Sequence, residues 1–322
     1  IKRKFELRKP TNKNKMKSLA IYHENLTGSG GVVKFTKTLS KELSKKYETT
    51  IIFNEISESI KQEISQFAKI IHKNKVNKSK QYNYLIYAST FSSICNILSY
   101  KKIDIIHADF SKIKRQYQKK SDITHIVAVS NNNKEVIERI TNYTVDAVIP
   151  NIPDLSIKSY PKRKNEVLIL ISVTRICKTK GIDRMIKLAT YLNQTKTPFK
   201  WDVYGRKDTP YAREIVKSFP ENLEYKGYEP KPHKLIAEAD YLVQLSDSEG
   251  FSYSILEALQ QRTPVITTNY PSAKEQVKHG VNGWILDFKL RNWRCILQDK
   301  LKMTNFEPVS TVTGWVNFLE SE

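Results

Sequence analysis

Short runs of β-branched and aromatic residues alternate along the chain with longer amphipathic stretches, beginning at Ser18. SLAIY (18–22), TTIIF (49–53), YLIYA (84–88), DIIHA (104–108), HIVAV (125–129) and DAVIP (146–150) predict strands, and helix-like stretches lie between most of them. This is the rhythm of βαβ units and a parallel sheet. PNIPDLSIKSYPKRKN (150–165), with three prolines and mixed charges, reads as a linker. The rhythm then restarts with VLILISV (167–173), KWDVY (200–204), LEYKG (223–227), YLVQL (241–245), PVITT (264–268) and GWILD (283–287). The prediction is α/β: two doubly wound, Rossmann-like domains in tandem. Ligands of such sheets bind outside the carboxyl ends of the strands, so the loops after these runs are where chemistry belongs.

Length supports the division, because 322 residues exceed the size at which one core usually stops growing. The longest apolar runs fall far short of the roughly 20 residues of a membrane span, and no signal-peptide pattern opens the chain. The expectation is a soluble, cytoplasmic protein. Cys95, Cys177 and Cys295 lie far apart without CxxC spacing, which points to neither a zinc site nor a disulfide framework.

Charge is distributed unevenly. Residues 1–160 carry 29 Lys and Arg against 14 Asp and Glu, a net of +15, and residues 161–322 carry 25 against 19, a net of +6. The first half faces something acidic. Part of the excess is the opening IKRKFELRKPTNKNKMK, residues 1–17, read as a basic arm that is either a solubilising tail or a contact for anionic lipid headgroups.

Three loops carry candidate chemistry. After the first strand, Gly28 to Gly31 open a helix; glycine lets backbone N–H groups approach an anion there, and the same residues also suit an ordinary tight turn. After VLILISV comes TRICKTKGIDRMI, where Arg175 and Lys180 flank a loop that Gly181 turns into a helix. Two cations beside a helix N-terminus suit a diphosphate, or form a solvated basic loop. After YLVQL comes SDSEGFSYSILEALQQ, which places Glu249 in the loop and Glu257 about one turn into a helix capped by Ser252 or Ser254. Two carboxylates eight positions apart are too distant to share a proton and are suited to grip hydroxyl groups at two ends of one ligand. The plainer alternative is one Glu complementing a helix dipole and another on the polar face.

The order of these motifs, EGFSYSILE followed by EALQQRTPVITTNYPSAKEQVKHGVNGWILDF, with SVTRICKTKGIDRMI, IDIIHADF, ITHIVAVSNNNKEVI and VIPNIPD before them, resembles the family-4 retaining glycosyltransferases (glycosyl transferases group 1), which have the GT-B fold. The resemblance covers roughly residues 17–290. It implies that Arg175 and Lys180 hold the donor diphosphate, Glu257 binds the ribose, and Glu249, with the backbone of Gly250 and Phe251, holds the sugar ring. It implies further that Ser252 lies in the donor site, that Gly30 and Gly31 close on the diphosphate from the first domain, and that His107 lies near the transferred sugar. The expected enzyme is a hexosyltransferase without a cofactor, its co-substrate a nucleotide diphosphate sugar and most commonly a UDP-sugar. Expected partners are a glycan or lipid-linked acceptor and an anionic membrane surface at which the protein sits peripherally, with no nucleic acid.

The expected divisions are a basic arm over 1–17, an acceptor-side domain over 18–155, a nucleotide-sugar domain over 156–305, and a segment over 306–322 returning to the first domain on an apolar face of Val312, Trp315, Val316 and Leu319. The family's glycine after PN is Ile152 here, and Arg206 and Lys207 stand where small turns are usual. His23, His72, His125, His233 and His279 show no metal-ligand spacing, and no D-x-D pair occurs, which fits metal-independent transfer. Two other readings compete: a catalytically silent partner subunit of the same fold, against which the intact Arg175, Lys180, Glu249 and Glu257 argue, and a nucleic-acid binder, suggested by a net charge of +21 but lacking interleaved aromatics or a reading helix.

Overall fold

The computed structural model describes residues 16–28, 30–89, 96–113, 116–298, 301, 303 and 311–321. Most of the expected arm, Cys95, and residues 306–310 of the expected return segment lie outside the described residues.

In the first half, β1 (Ser18–Leu26), β2 (Glu48–Ile56), β3 (Lys69–His72), β4 (Gln81–Tyr87), β5 (Leu98–Ile106), β6 (His125–Ala128) and β7 (Ala147–Val148) make one sheet. Its order is β3-β2-β1-β4-β5-β6-β7, with every pairing parallel. In the second half, β8 (Leu168–Val173), β9 (Phe199–Tyr204), β10 (Leu223–Gly227), β11 (Tyr241–Gln244), β12 (Val265–Thr268) and β13 (Gly283–Leu286) make another, in the order β10-β9-β8-β11-β12-β13 and again parallel. The crossovers include α1 (Gly31–Leu43), α2 (Glu58–Ile64), α3 (Asn131–Ile140), α4 (Ile182–Asn193), α5 (Pro210–Ile215), α6 (His233–Glu238) and α7 (Tyr253–Gln260), and α8 (Val312–Glu320) closes the described chain. The strands at the sheet centres are nearly continuous buried runs, because helices cover both faces of a parallel sheet.

The strand β3 is absent from the sequence-based assignment. It is an edge strand of four partly exposed or exposed residues, KIIH, and both its lysine and its shortness suit an edge that must not pair further. A second difference matters more for function. The run DIIHA is not all strand: β5 ends at Ile106, which puts His107 in the loop just beyond the carboxyl end of the strand.

The loop between β11 and α7 reaches into the first domain. Phe251, Tyr253 and Leu256 belong to the same apolar cluster as Ile21, Phe35 and Ile105. Asn151 Nδ2 donates 2.8 Å to the carbonyl oxygen of Phe251, and Ile152 is buried in that cluster. The chain crosses back at its end. Trp315 and Leu319 of α8 are buried in the first domain's core, with the Trp315 ring 5.9 Å from that of Phe35, and Lys101 Nζ donates to the Phe318 carbonyl at 2.6 Å.

Candidate active site

The loop Ser246–Ser252 is held by the strand ends around it. Gln244 at the end of β11 is buried, and its amide works in both directions: Nε2 donates to Glu249 Oε1 at 2.8 Å, and Oε1 accepts from Ser252 Oγ at 2.6 Å. Ser252 is the N-cap of α7, where its Oγ accepts from Ile255 N at 3.3 Å. Gln276 brackets the same residue, accepting from Ser252 N and donating to its carbonyl oxygen at 2.8 and 2.9 Å. Ser246 Oγ adds a third neutral constraint, donating to Glu249 Oε1 at 2.7 Å. A buried polar network of this kind, with its members partnered, fixes one arrangement of the loop.

Lys180 also donates to Glu249 Oε1. It arrives there because Gly181, at φ +66°, turns the chain into α4, and a Cβ on Gly181 would stand 1.8 Å from the Leu245 carbonyl oxygen. The loops after β8 and β11 thus touch, with Asp247 N donating 2.8 Å to the Thr179 carbonyl and Arg184 paired with Asp247. Arg175, two residues beyond the end of β8, is exposed and has no hydrogen bond or ion pair among the described residues. The two cations expected to act alike therefore differ: one is held by a carboxylate and the other is free. Arg206 and Lys207 are exposed and lie over the Tyr228 and Tyr225 rings, while Gly205 before them packs against the Thr174 carbonyl.

Gly250 sets how close the first domain comes. A Cβ there would lie 1.9 Å from the carbonyl oxygen of His107, so the two backbones are in contact and only glycine fits. Ser248 Oγ donates to Asp109 Oδ2 at 2.7 Å, and Glu275 accepts from the backbone N–H groups of Asn131 and Asn132 at the start of α3 at 2.9 and 3.2 Å. Gly31 faces Tyr253, where an added Cβ would meet the ring at 3.6 Å, and Gly30 opens on free space.

His107 Nε2 is buried without a hydrogen-bond partner, while the ring bonds the backbone of Ala88 and packs edge-on against Phe35 at 4.6 Å. Burial and the neighbouring His23 push its pKa down to about 3. The imidazole is therefore neutral at ordinary pH, with the bond to Ala88 setting the tautomer and leaving Nε2 as an acceptor. His23, bonded to Thr36 Oγ1 at 2.7 Å, is itself lowered by burial to about 4. For a histidine whose folded pKa is depressed, stability is present above the unfolded value near 6.5 and is lost as pH falls toward the folded value. The unfolding midpoint is expected to drop steadily between pH 6.5 and 4, and a His23→Phe/His107→Phe double variant is expected to flatten that slope.

Glu257 is not an exposed helix residue. Its side chain is only 10% accessible; Oε1 accepts from Lys34 Nζ of α1 and lies 4.0 Å from His233 Nε2. Its Oε2 and His233 Nε2 are both buried without partners. The sequence motifs single out neither Lys34, Gln244 nor Gln276, and they give His233 no role. Only Lys34 had a signal, its place in the first turn after the glycines. The structure thus bonds Lys180 to the loop that carries Glu249, Gly250 and Ser252, and sets Gly31 against Tyr253 and the His107 backbone against Gly250. No direct bond links Glu249 to Glu257; Gln244 and the cap of α7 connect them.

Among the described residues, no group of three His, Cys, Asp or Glu is placed to hold a metal ion, and no helix is long and apolar enough to cross a membrane.

Residues 154–297 match the family described as glycosyl transferases group 1. Among curated proteins, the chain is 24% identical over 156 residues to the poly(ribitol-phosphate) alpha-N-acetylglucosaminyltransferase of Staphylococcus aureus (strain COL), covering 48% of this chain and 30% of that protein. It is 25% identical over 151 residues to the poly(glycerol-phosphate) alpha-glucosyltransferase of Bacillus subtilis (strain 168), covering 46% of this chain and 21% of that protein. The chain thus spans under a third of the length of either relative. Among solved structures, Anabaena HepE in complex with UDP and glucose superposes with a TM-score of 0.67 over 88% of this chain and 90% of that one at 14% identity. TarM superposes with a TM-score of 0.73 over 96% and 99% at 12% identity. At such identities the likeness is one of fold, and that fold is GT-B.

Proposed function

We propose that this chain, a protein of GT-B architecture whose residues 154–297 belong to the glycosyl transferases group 1, moves a sugar from a nucleotide diphosphate sugar, most simply a UDP-sugar, to an acidic surface-glycan or lipid-linked acceptor with retention of configuration. The observation that carries the reading is the loop Ser246–Ser252: it holds Glu249 by one oxygen, caps the helix bearing Glu257, and rests on the loop after β5 through Gly250.

Each group then has a role its chemistry permits. Glu257 accepts hydrogen bonds from the ribose hydroxyls through the oxygen now without a partner. Glu249, its Oε1 occupied by Lys180, Gln244 and Ser246, turns Oε2 to the transferred sugar. Neutral His107 accepts from a sugar hydroxyl at Nε2. Lys180, the free Arg175 and the start of α4 face the diphosphate, while Gly30 and Gly31 let the first domain's backbone approach it. The acceptor oxygen bonds to the anomeric carbon on the face the diphosphate leaves. The carbon–oxygen bond to phosphate breaks, its electron pair stays with the diphosphate, and the acceptor's proton passes to a phosphate oxygen. Side-chain cations neutralise the leaving group, so no metal is required.

The acidic acceptor is supported by the net +15 of residues 1–160 and by two relatives whose names specify polyol-phosphate acceptors. On this reading the basic first domain, and the opening arm, lie at the inner face of the membrane.

A thermal-shift screen of nucleotide sugars tests the donor. A donor at 100 times its dissociation constant is expected to stabilise the protein by about 2.7 kcal/mol. If no nucleotide diphosphate sugar raises the midpoint, the reading fails. A donor that binds but is never turned over, with or without polyol-phosphate acceptors, would favour the silent partner subunit.

A further inference from the structure

We infer that Lys34 belongs to the donor site: it brings a positive charge from the first domain to the ribose–phosphate portion of a nucleoside diphosphate, completing the site only when the two domains are together. The inference rests on the nucleotide-sugar reading and adds a residue that the motifs do not assign.

Lys34 stands in the first turn of α1, separated from Gly30 and Gly31 by Val32 and Val33, and its ammonium reaches across the domain boundary to Glu257 Oε1. Three features of its surroundings point to a ligand. Glu257 Oε2 is buried without a partner, and so is His233 Nε2, which lies 4.0 Å from Glu257 Oε1. Burial lowers the His233 pKa, leaving a neutral ring next to a carboxylate. Buried polar atoms without partners are costly, and hydroxyls such as those of a ribose would satisfy both.

Charge then decides what Lys34 does. A nucleoside diphosphate brings several negative charges into a pocket that already holds the Glu257 carboxylate. Without a cation between them, the ribose contact would work against the phosphates. An ammonium has three N–H donors, and Glu257 takes one. Lys34 can therefore remain on Glu257 and still donate to phosphate, and its root beside the diphosphate-facing glycines places it on that side of the ribose. Because it comes from α1 while Glu257 comes from α7, pulling the domains apart would leave Glu257 without its cation.

The test is calorimetric titration of the full chain with UDP and with uridine, using wild type, Lys34→Gln and Lys34→Arg, each checked for an unchanged unfolding midpoint. Lys34→Gln is expected to weaken UDP binding about tenfold or more, the size expected for a hydrogen bond to a charged group. Uridine, which is neutral, should lose less than about threefold. Lys34→Arg should retain most of the UDP affinity, since it keeps the charge, and the difference between wild type and Lys34→Gln should shrink as NaCl is raised. Unchanged or tighter UDP binding by Lys34→Gln overturns the inference, because the pair would then be a surface contact or a competitor of the donor. Equal losses of UDP and uridine overturn it as well, since that marks a structural effect. If wild type binds neither UDP, GDP nor ADP, the nucleotide-sugar reading itself falls and the inference with it; binding by wild type that Lys34→Gln retains removes the inference alone.

Discussion

Alanine at Arg175 or at Lys180 is expected to lower kcat by roughly 10²–10³, about 2.7–4 kcal/mol of transition-state stabilisation, with folding intact and with turnover persisting in excess EDTA. When the bond from the anomeric carbon to phosphate breaks, negative charge grows on the departing diphosphate, and the stabilising cations must already be oriented toward it. In the structure Lys180 is held in place: its ammonium is paired with Glu249, and its backbone is set by the turn at Gly181. Arg175 supplies a guanidinium that no carboxylate among the described residues occupies. An exposed surface charge would cost only about 0–1 kcal/mol, so the two outcomes are well separated. Glu249 keeps Gln244 and Ser246 as donors when Lys180 is removed, which is why the loop should survive the substitution. Lys180→Arg should also be impaired, because a planar fork does not replace a compact ammonium on one carboxylate oxygen. Loss of activity in EDTA with recovery on adding Mg²⁺ or Mn²⁺, or an alanine variant retaining more than about a third of kcat, would remove these residues from the diphosphate.

The two glutamates are expected to fail in different ways. Glu257→Ala should raise the donor KM by about 10- to 150-fold, the worth of a hydrogen bond from a charged group, at roughly constant kcat. Ribose contacts are the same in the ground state and the transition state, so losing them costs binding alone. Glu249→Ala should lower kcat as well, because the sugar ring gains positive character as its bond to phosphate breaks and a nearby carboxylate favours that state. It also leaves Lys180 without its partner and Gln244 and Ser246 without their acceptor. Steady-state kinetics on the two variants, with the best donor from the thermal-shift screen, make the comparison. The same KM effect with unchanged kcat in both would show that Glu249 does not face the sugar.

Much of this was legible along the chain because the signals are local. A central parallel strand is selected by a continuous apolar run, and YLVQL and PVITT appear as β11 and β12 with near-identical bounds. Gly181 is fixed by the turn into α4, and Glu249, Ser252 and Glu257 by turn and helix geometry within a few residues of one another, so these local spacings carry information. The edge strand β3 escaped because its four residues are only half covered and include a lysine, which weakens the burial pattern that marks a strand. The apolar run DIIHA predicts a strand that includes His107, whereas pairing stops one residue earlier, at Ile106.

The local pattern along the chain specifies two parallel α/β halves, the loops at their strand ends and the residue types available there. Which of those residues meet depends on how the two halves pack. Lys34 and Glu257 are 223 positions apart, and the Asn151–Phe251 bond spans 100, so no local spacing encodes either contact. Both depend on how closely the halves approach, and that is set where Gly250, lacking a side chain, lets its backbone rest on the carbonyl of His107. Charge behaves the same way. A lysine on a helix and a glutamate on another are solvated in isolation, and they become a partly buried pair with an unsatisfied oxygen beside it only when the packing of Phe251, Tyr253 and Leu256 into the first core carries α7 against α1.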